Sequence, residues 1–205
     1  MHEQVPGEPP RLLVVDDQPI NFKIIARILA EGYAIEYACS GPDALALLEK
    51  IPLPDLILLD LVMPVMDGLA LCRALKASPR TRGAPILFLT ARQDVDSEAE
   101  ALSAGGVDFI HKPVAPAVLR ARVDLHLRLS QRERALRQAN HQLRALDDLR
   151  QRYEAIVESS SEAILSVDPN GCLNTWNRSA EHLLGYSARE VLGLGCQVLV
   201  AKEYR

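Results

Sequence analysis

The chain of 205 residues lacks the features that mark secreted, membrane-spanning and nucleic-acid-binding proteins. Its four cysteines lie far apart and form no CxxC pair, so neither a disulfide framework nor a cysteine zinc site is indicated. No apolar run approaches the roughly 20 residues that a membrane-spanning helix needs. The net charge is only −4, which gives no electrostatic reason to expect a nucleic acid or a membrane surface as the partner.

The overall composition is that of an ordinary globular protein, with 48% hydrophobic and 24% charged residues. Residues 1–10 are polar and contain three prolines, which is unlike a secretory signal peptide. We therefore expect a disordered tail over residues 1–10 and a cytoplasmic location. We also expect all cysteines to be reduced, namely Cys39, Cys72, Cys172 and Cys196.

Five short apolar runs alternate with amphipathic stretches between residues 11 and 112. The runs are rich in Val, Ile and Leu and have the length of strands; they span residues 12–15, 34–38, 55–59, 86–89 and 107–110. Helical spacing of apolar residues marks the stretches near 20–31, 41–50, 67–77 and 94–104. Strands that alternate with helices predict a five-stranded parallel sheet covered on both faces, a doubly wound α/β domain over residues 11–115.

Polar side chains stand where four of these runs end. Asp16 and Asp17 follow the first run, Asp60 the third, Thr90 the fourth and Lys112 the fifth. Because the carboxyl ends of parallel strands meet at one edge of a sheet, we expect these five residues to converge. Carboxylate oxygens suit Mg²⁺, and phosphoryl transfer depends on positioning and charge neutralisation. The pattern predicts a carboxylate that is phosphorylated on a bound divalent metal.

The order and spacing of these motifs resemble the receiver domain of bacterial response regulators over roughly residues 11 to 125. Between the polar sites lie Met63-Pro64 and Met66-Asp67-Gly68, and Pro113 follows the lysine. The resemblance implies a flavodoxin-like fold. It also implies that Asp60 is a nucleophile that accepts a phosphoryl group from the histidine of a partner, either a histidine kinase or a histidine phosphotransfer protein.

The resemblance further implies how the remaining polar residues act. Asp17 and Asp60 would bind Mg²⁺ through carboxylate oxygens, Asp16 would bind it directly or through water, and the backbone carbonyl of Val62 would complete the ligand set. Lys112 would neutralise a phosphoryl oxygen and, when no phosphoryl group is present, would pair with Asp60.

A switch is implied as well. In receivers the hydroxyl of the residue at Thr90 turns toward the phosphoryl group, and an aromatic residue, here Phe109, moves into the space that it leaves. Phenylalanine has no hydroxyl, so packing alone would report the state. Val62 and Arg92 flank the site and would tune the lifetime of the acyl phosphate. The Lys112–Pro113 bond is expected to be cis, as in the family.

Residues 116–159 predict one long helix, because they contain no glycine and have proline only at their start. Leucines recur every seven residues at 129, 136 and 143. The same seam holds Val118, Leu125, Ala139, Leu146, Tyr153 and Val157, and is interrupted by Arg122, Arg132 and Arg150. A helix of this length would measure roughly 60 Å and could not bury its stripe alone. A parallel two-stranded coiled coil in a homodimer is predicted; a single helix folded back on the receiver is the alternative.

Residues 160–205 predict a small α+β unit. Strand patterns over 163–167 and 172–176 flank the turn sequence Asp168-Pro169-Asn170-Gly171, and Asn177 can cap a helix over 178–184. Ser187 to Glu190 matches a capping box. With Trp176-Asn177 and Leu184-Gly185-Tyr186, this unit resembles the beginning of a PAS domain and implies an incomplete one. No residue in it indicates a haem or flavin cofactor.

Other functions fit the residues less well. A haloacid-dehalogenase-type phosphatase requires an aspartate two positions after its nucleophile, where Val62 stands. His126 and His141 lie on the long helix without the sequence context of a kinase phosphoacceptor, so we expect both to be solvated or at the edge of the seam. No helix-turn-helix follows the receiver.

The predicted function is therefore a phosphorelay receiver that signals through a dimeric helix to the PAS segment and to output domains beyond it. The alternative is the front part of a hybrid histidine kinase or of a cyclic-dinucleotide enzyme, a diguanylate cyclase or a phosphodiesterase. Whether the chain is an enzyme beyond the receiver's own phosphoryl transfer stays open.

Overall fold

A computed structural model describes residues 9–91 and 95–199 of the chain. Residues 1–8, most of the predicted tail, lie outside the described residues, as does Arg92. The chain divides into two compact units, one up to Ala135 and one from Leu136 onward. Among the helices described, none is both long enough and apolar enough to cross a membrane.

The first unit is built on a five-stranded sheet. Its strands are β1 (Arg11–Val15), β2 (Ala34–Ala38), β3 (Leu56–Asp60), β4 (Ile86–Thr90) and β5 (Asp108–His111). They pair in the order β2-β1-β3-β4-β5, and every pair is parallel. All residues of β3 and β4 are buried, as expected for continuous apolar runs in a parallel sheet with both faces covered. The predicted doubly wound fold is confirmed.

Helices cover both faces of this sheet. They are α1 (Pro19–Ile28), α2 (Gly41–Leu48), α3 (Gly68–Ala77), α4 (Val95–Ser103) and the long α5 (Pro116–Ser159). Strand residues alternate between two cores: Leu13 and Ile57 face α2, α3 and α4, and Leu12 and Leu58 face α1 and α5. Helix α1 ends before the predicted residue 31, because the chain turns at Gly32, whose φ is +97°.

The start of α5 is part of the sheet's own core. Leu119, Val123 and Leu127 recur at helical spacing, and at most 5% of each residue is exposed. The core of the first unit thus extends past residue 115, where the sequence pattern placed the end of the domain. The first turns of the helix therefore belong to the receiver and pack on its sheet.

Polar contacts hold α5 to the sheet beyond these leucines. The Tyr33 hydroxyl donates a hydrogen bond to Asp124, and burial together with this bond raises the pKa of Tyr33 to about 12. Asp55 is 4% exposed and accepts hydrogen bonds from the Arg11 amide and from Arg134, both at 3.0 Å. A buried carboxylate needs such partners, so Asp55 fixes the helix at Arg134.

A second apolar face of α5 is exposed. We call it the exposed stripe; it consists of Val118, Leu125, Leu129, Leu136, Leu143 and Leu146, which are 43–64% exposed. Leu125 is two residues from both Val123 and Leu127, and two residues turn an α-helix by about 200°. Where α5 packs on the sheet, the exposed stripe therefore lies opposite the buried face. The predicted helix over 116–159 is confirmed.

The second unit pairs two antiparallel strands with short helices. Its elements after α5 are β6 (Leu165–Val167), β7 (Leu173–Trp176), α6 (Arg178–Leu184), α7 (Ala188–Val191) and a 3₁₀ turn (Cys196–Leu199). Leu173, Trp176, Ala180 and Val191 form its core. β6 starts two residues later than predicted, because the Ile164 amide donates to the Asn177 side chain rather than to a strand.

Candidate functional site

Four strand ends bring the predicted site residues together at one edge of the sheet. Asp16 follows β1, Asp60 ends β3, and Thr90 ends β4; Asp16, Asp60 and Thr90 are each at most 5% exposed. Carboxylate oxygens of Asp16, Asp17 and Asp60 all lie within 4.8 Å of one another. Such a concentration of buried negative charge requires cationic partners.

Lys112 supplies one of these positive charges. Its Nζ donates to Asp16 Oδ2 at 2.8 Å and to Asp60 Oδ2 at 2.7 Å, and its side chain is 17% exposed. The Lys112 amide donates to the Thr90 carbonyl at 2.7 Å, and the peptide bond to Pro113 is cis, as expected from the sequence. The ammonium group thus bridges the ends of β1 and β3.

The site shifts the pKa values of both partners. Burial raises the pKa of Asp60, and the charge of Asp16 adds to this, while Lys112 opposes it. Burial alone would lower the pKa of Lys112, but its bonds to Asp16 and Asp60 outweigh burial and raise it. The lysine therefore stays charged, and Asp60 is a carboxylate that gains from a further cation.

The three carboxylates differ in how many of their oxygens are engaged. Both oxygens of Asp16 have partners, since Oδ1 accepts from the Gln18 amide at 2.9 Å and from the Asn21 amide group at 3.0 Å. Asp17 Oδ1 is buried without a hydrogen-bond partner among the described residues. An unpartnered buried carboxylate oxygen beside two other carboxylates suits a hard divalent cation with oxygen ligands, so these residues fit Mg²⁺.

The loop after β3 packs closely on Asp60. The Val62 amide lies 3.4 Å from Asp60 Oδ1, a long hydrogen bond, and the Val62 side chain is 54% exposed. Gly68 passes so near the strand that a Cβ there would lie 2.3 Å from the Asp60 carbonyl oxygen. The Gly68 amide donates to the Leu61 carbonyl at 3.0 Å, and Asp67 caps α3. Only glycine allows the loop to hold Asp60 at this distance.

The sequence profile of the response regulator receiver domain matches residues 12–124, more than half of the chain. The chain belongs to this family. The profile of the PAS fold matches residues 151–198, so the predicted order of receiver, helix and PAS segment is confirmed. A receiver is the phosphoryl-accepting partner in two-component signalling, and this chain carries one.

Two curated relatives match this chain over part of their own length. Response regulator PleD of Caulobacter vibrioides is 43% identical over 114 residues, which are 55% of this chain and 25% of PleD. A probable cyclic di-GMP phosphodiesterase of Vibrio cholerae is 34% identical over 163 residues, 77% of this chain and 37% of that protein. The chain therefore spans well under half the length of either relative.

A solved structure agrees with the fold of the receiver. A putative response regulator from Chloroflexus aurantiacus superposes with a TM-score of 0.56 at 36% sequence identity. The match covers 58% of this chain and 98% of that one.

The expected switch residues lie on neighbouring strands of the receiver. In the register of β4 and β5, Phe109 stands opposite Phe88, and His111 stands opposite Thr90. The Phe109 ring is partly buried and meets the His111 ring edge-on, with centroids 5.4 Å apart. Phe109 thus lies two residue pairs further from the strand ends than Thr90.

The receiver also holds a cluster that the sequence pattern did not reveal. Asp108 accepts hydrogen bonds from the Phe109 amide at 2.9 Å and from Arg122, and His126 Nε2 lies 3.1 Å from its Oδ2. Burial raises the pKa of Asp108, but these bonds outweigh burial and lower it. Arg122 was expected on the seam and His126 at its edge or in solvent; both instead pair with β5. Their spacing of four residues on a helix was the one available signal.

Proposed function

We propose that this receiver takes a phosphoryl group onto Asp60 from a phosphohistidine of a histidine kinase or a histidine phosphotransfer protein. The observation that carries the proposal is the bridge of Lys112 between Asp16 and Asp60 beside the unpartnered oxygen of Asp17. Asp16, Asp17, Asp60 and the carbonyl of Val62 would hold Mg²⁺, which supplies positive charge against the phosphoryl oxygens when it is bound.

In the phosphoryl transfer, the main contribution of the protein is to position the reacting groups. An oxygen of Asp60 attacks phosphorus, the P–N bond to the partner's imidazole breaks, and a P–O bond forms. The imidazole keeps the electron pair and takes a proton. The side chain of Asp60 is only 7% exposed, so the donor reaches it from the open edge of the sheet. Lys112 is already in contact with Asp60 and would move its charge to a phosphoryl oxygen.

The switch in this proposal is made of Thr90 and Phe109. The Thr90 hydroxyl turns toward the phosphoryl group, and the Phe109 ring enters the space that opens on β4. Because phenylalanine carries no hydroxyl, the outcome is a change in packing at β5. Asp108, next to Phe109, would pass it to α5 through Arg122 and His126.

The helix is proposed to act in a parallel homodimer. The exposed stripe lies along α5, and its leucines are 50–64% exposed in one chain. Arg122, one of the three arginines expected to interrupt the seam, is engaged by Asp108. A second copy could therefore cover the stripe without displacing the receiver's own contacts.

The domain roles follow from this arrangement. We assign phosphoryl acceptance to residues 11–115 together with the first turns of α5, coupling to the helix over 116–159, and a relay to the PAS segment that begins near residue 160. We expect the protein to work in the cytoplasm. The Vibrio cholerae relative, a probable cyclic di-GMP phosphodiesterase, supports a cyclic-dinucleotide enzyme as the output, and a hybrid histidine kinase is the other candidate.

Labelling by acetyl phosphate with Mg²⁺ tests the phosphoacceptor. The wild-type chain should gain a stable acyl phosphate, and chelation of Mg²⁺ should prevent it. Asp60→Asn should abolish the label. Asp67→Asn is the matched control, because Asp67 is an exposed acid on the same loop and asparagine can still cap α3. Full labelling of Asp60→Asn would overturn the proposal.

A further inference from the structure

The C-terminal end of α5 is hydrogen-bonded to the buried side-chain amide of Asn177. Asn177 is 1% exposed and directly follows β7. Its Nδ2 donates to the carbonyl of Val157, in the last turn of α5, at 2.9 Å. The same group donates to the Glu162 carbonyl at 2.9 Å, just past the end of the helix. Both hydrogens of the amide are thus used on the segment that leads out of α5.

The oxygen of the same side chain holds the PAS segment. Asn177 Oδ1 accepts from the Ile164 amide, directly before β6, at 2.8 Å. It also accepts from the Ala180 amide in the first turn of α6 at 2.9 Å. With two donors and two acceptor positions, the amide of asparagine is completely satisfied here. Neither aspartate nor a hydrophobic residue could make this set of bonds.

A second contact fixes the same junction. The Ser179 hydroxyl donates to the Ser160 carbonyl at 2.6 Å, and Val157 itself is 8% exposed. The end of α5 is therefore attached to the start of β6 and to α6 by hydrogen bonds that converge within three residues of the chain. A rotation or axial shift of α5 cannot leave Asn177 in place without breaking buried hydrogen bonds.

We propose that Asn177 is the joint through which a movement of α5 reaches the PAS segment, with Ser179 as its second attachment. Asn177 is a positioning residue: it transmits displacement of the helix end to β6 and α6 and binds no ligand. This inference rests on the proposed function for the source of the movement. It differs from a simple helix cap because two of the four bonds connect to α5 and to the segment after it.

The chain contains its own reporter for this movement. Trp176 is the single tryptophan, stands next to Asn177, and is 6% exposed. Its indole N–H donates to the Tyr186 carbonyl at 3.0 Å. Because tryptophan emission depends on its surroundings, the fluorescence of the whole chain reports on this junction.

The first experiment compares Trp176 emission of the full chain before and after labelling by acetyl phosphate with Mg²⁺. The wild type should change its emission, and Asp60→Asn should not. Asn177→Asp keeps the shape and the acceptors but removes both donors, so the change should fall at least threefold with unaltered labelling. Asn174→Asp, the same substitution at an exposed position three residues away, should respond as wild type.

Folding of the variants is controlled separately. Basal emission and the melting temperature of the second unit show whether Asn177→Asp keeps the PAS segment folded. If it does not, Ser179→Ala replaces it, since that change removes only the bond to Ser160; it should also reduce the response. The inference would be overturned if a folded Asn177→Asp variant showed the full wild-type change in Trp176 emission. The same holds for a folded Ser179→Ala variant where it takes the place of Asn177→Asp.

The two proposals can fail separately. Stable labelling of Asp60 without any change in wild-type Trp176 emission would overturn the joint and leave the phosphoacceptor intact. If Asp60 is not labelled, the role of Asn177 is tested by amide hydrogen exchange of the unlabelled chain. Asn177→Asp, or Ser179→Ala in its place, should then speed exchange in the last two turns of α5, and unchanged exchange there would overturn the inference.

Discussion

Replacing Leu136 and Leu143 together by asparagine is the sharpest test of the helical dimer. Both side chains belong to the exposed stripe and are 64% exposed in one chain. Neither belongs to a hydrophobic core formed by the described residues of one chain, so the variant should keep its fold and its labelling by acetyl phosphate. Only an assembly that covers these leucines should respond.

The size of the effect follows from the exposed fraction. Complete burial of a leucine is worth about 2 kcal/mol, so covering the remaining 64% is worth about 1.3 kcal/mol per side chain. A symmetric dimer covers four such leucines, which amounts to about 5 kcal/mol. Since about 1.4 kcal/mol corresponds to a factor of ten, the dissociation constant should rise by three to four orders of magnitude.

Sedimentation equilibrium over a range of concentrations measures this constant directly. The matched control is Leu183→Asn, which makes the same chemical change at a leucine on α6 that is 73% exposed and lies off the stripe. The control should keep the wild-type dissociation constant. A double variant with the same mass distribution as wild type at every concentration would refute the parallel pairing of α5.

Two further predictions concern the receiver alone. Gly68→Ala places a Cβ 2.3 Å from the Asp60 carbonyl oxygen, so it should lower the free energy of unfolding in urea by about 1–3 kcal/mol and slow labelling. Gly83→Ala is the control, because a Cβ there meets no described atom within 4 Å beyond its chain neighbours. Equal stability of the two variants would contradict this prediction. Asp108→Asn should make the free energy of unfolding depend less on pH in acid. The folded state lowers the pKa of Asp108 below 3.8, so the ionised carboxylate stabilises the fold above pH 3.8, and this stabilisation is lost as the pH falls through the lowered pKa. The free energy of unfolding of Asp108→Asn, measured from about pH 6 to pH 3, should therefore fall less steeply than that of the wild type. Parallel curves for the two proteins would refute this prediction.

The local sequence pattern was sufficient to predict the strands and the edge of the sheet at which the polar residues meet. Continuous apolar runs predicted each of the five strands to within about one residue, because buried parallel strands need apolar side chains on both faces. The position of Asp60, Thr90 and Lys112 after such runs then predicted their meeting. That step needs only the rule that the carboxyl ends of parallel strands share one edge.

The sequence pattern did not predict contacts between residues that are far apart along the chain. The heptad repeat counted Arg122 as a defect of the seam, but it could not show that Asp108 on β5 lies within reach. Asn177 was predicted as a helix cap, and this is only half of its role, since its bonds to Val157 and Glu162 join segments 15 to 20 residues away. Such pairings depend on tertiary geometry rather than on spacing along the chain.

The shared core of sheet and helix limits how genes for such proteins can recombine. A fusion that breaks the chain just after β5 would remove Leu119, Val123 and Leu127 and open the hydrophobic core of the receiver. A viable fusion must therefore carry α5 at least to Leu127, and it takes Leu125 along with it. Each such transfer delivers the beginning of the exposed stripe together with the receiver, so a newly attached unit needs only to continue the helix in phase to extend that stripe.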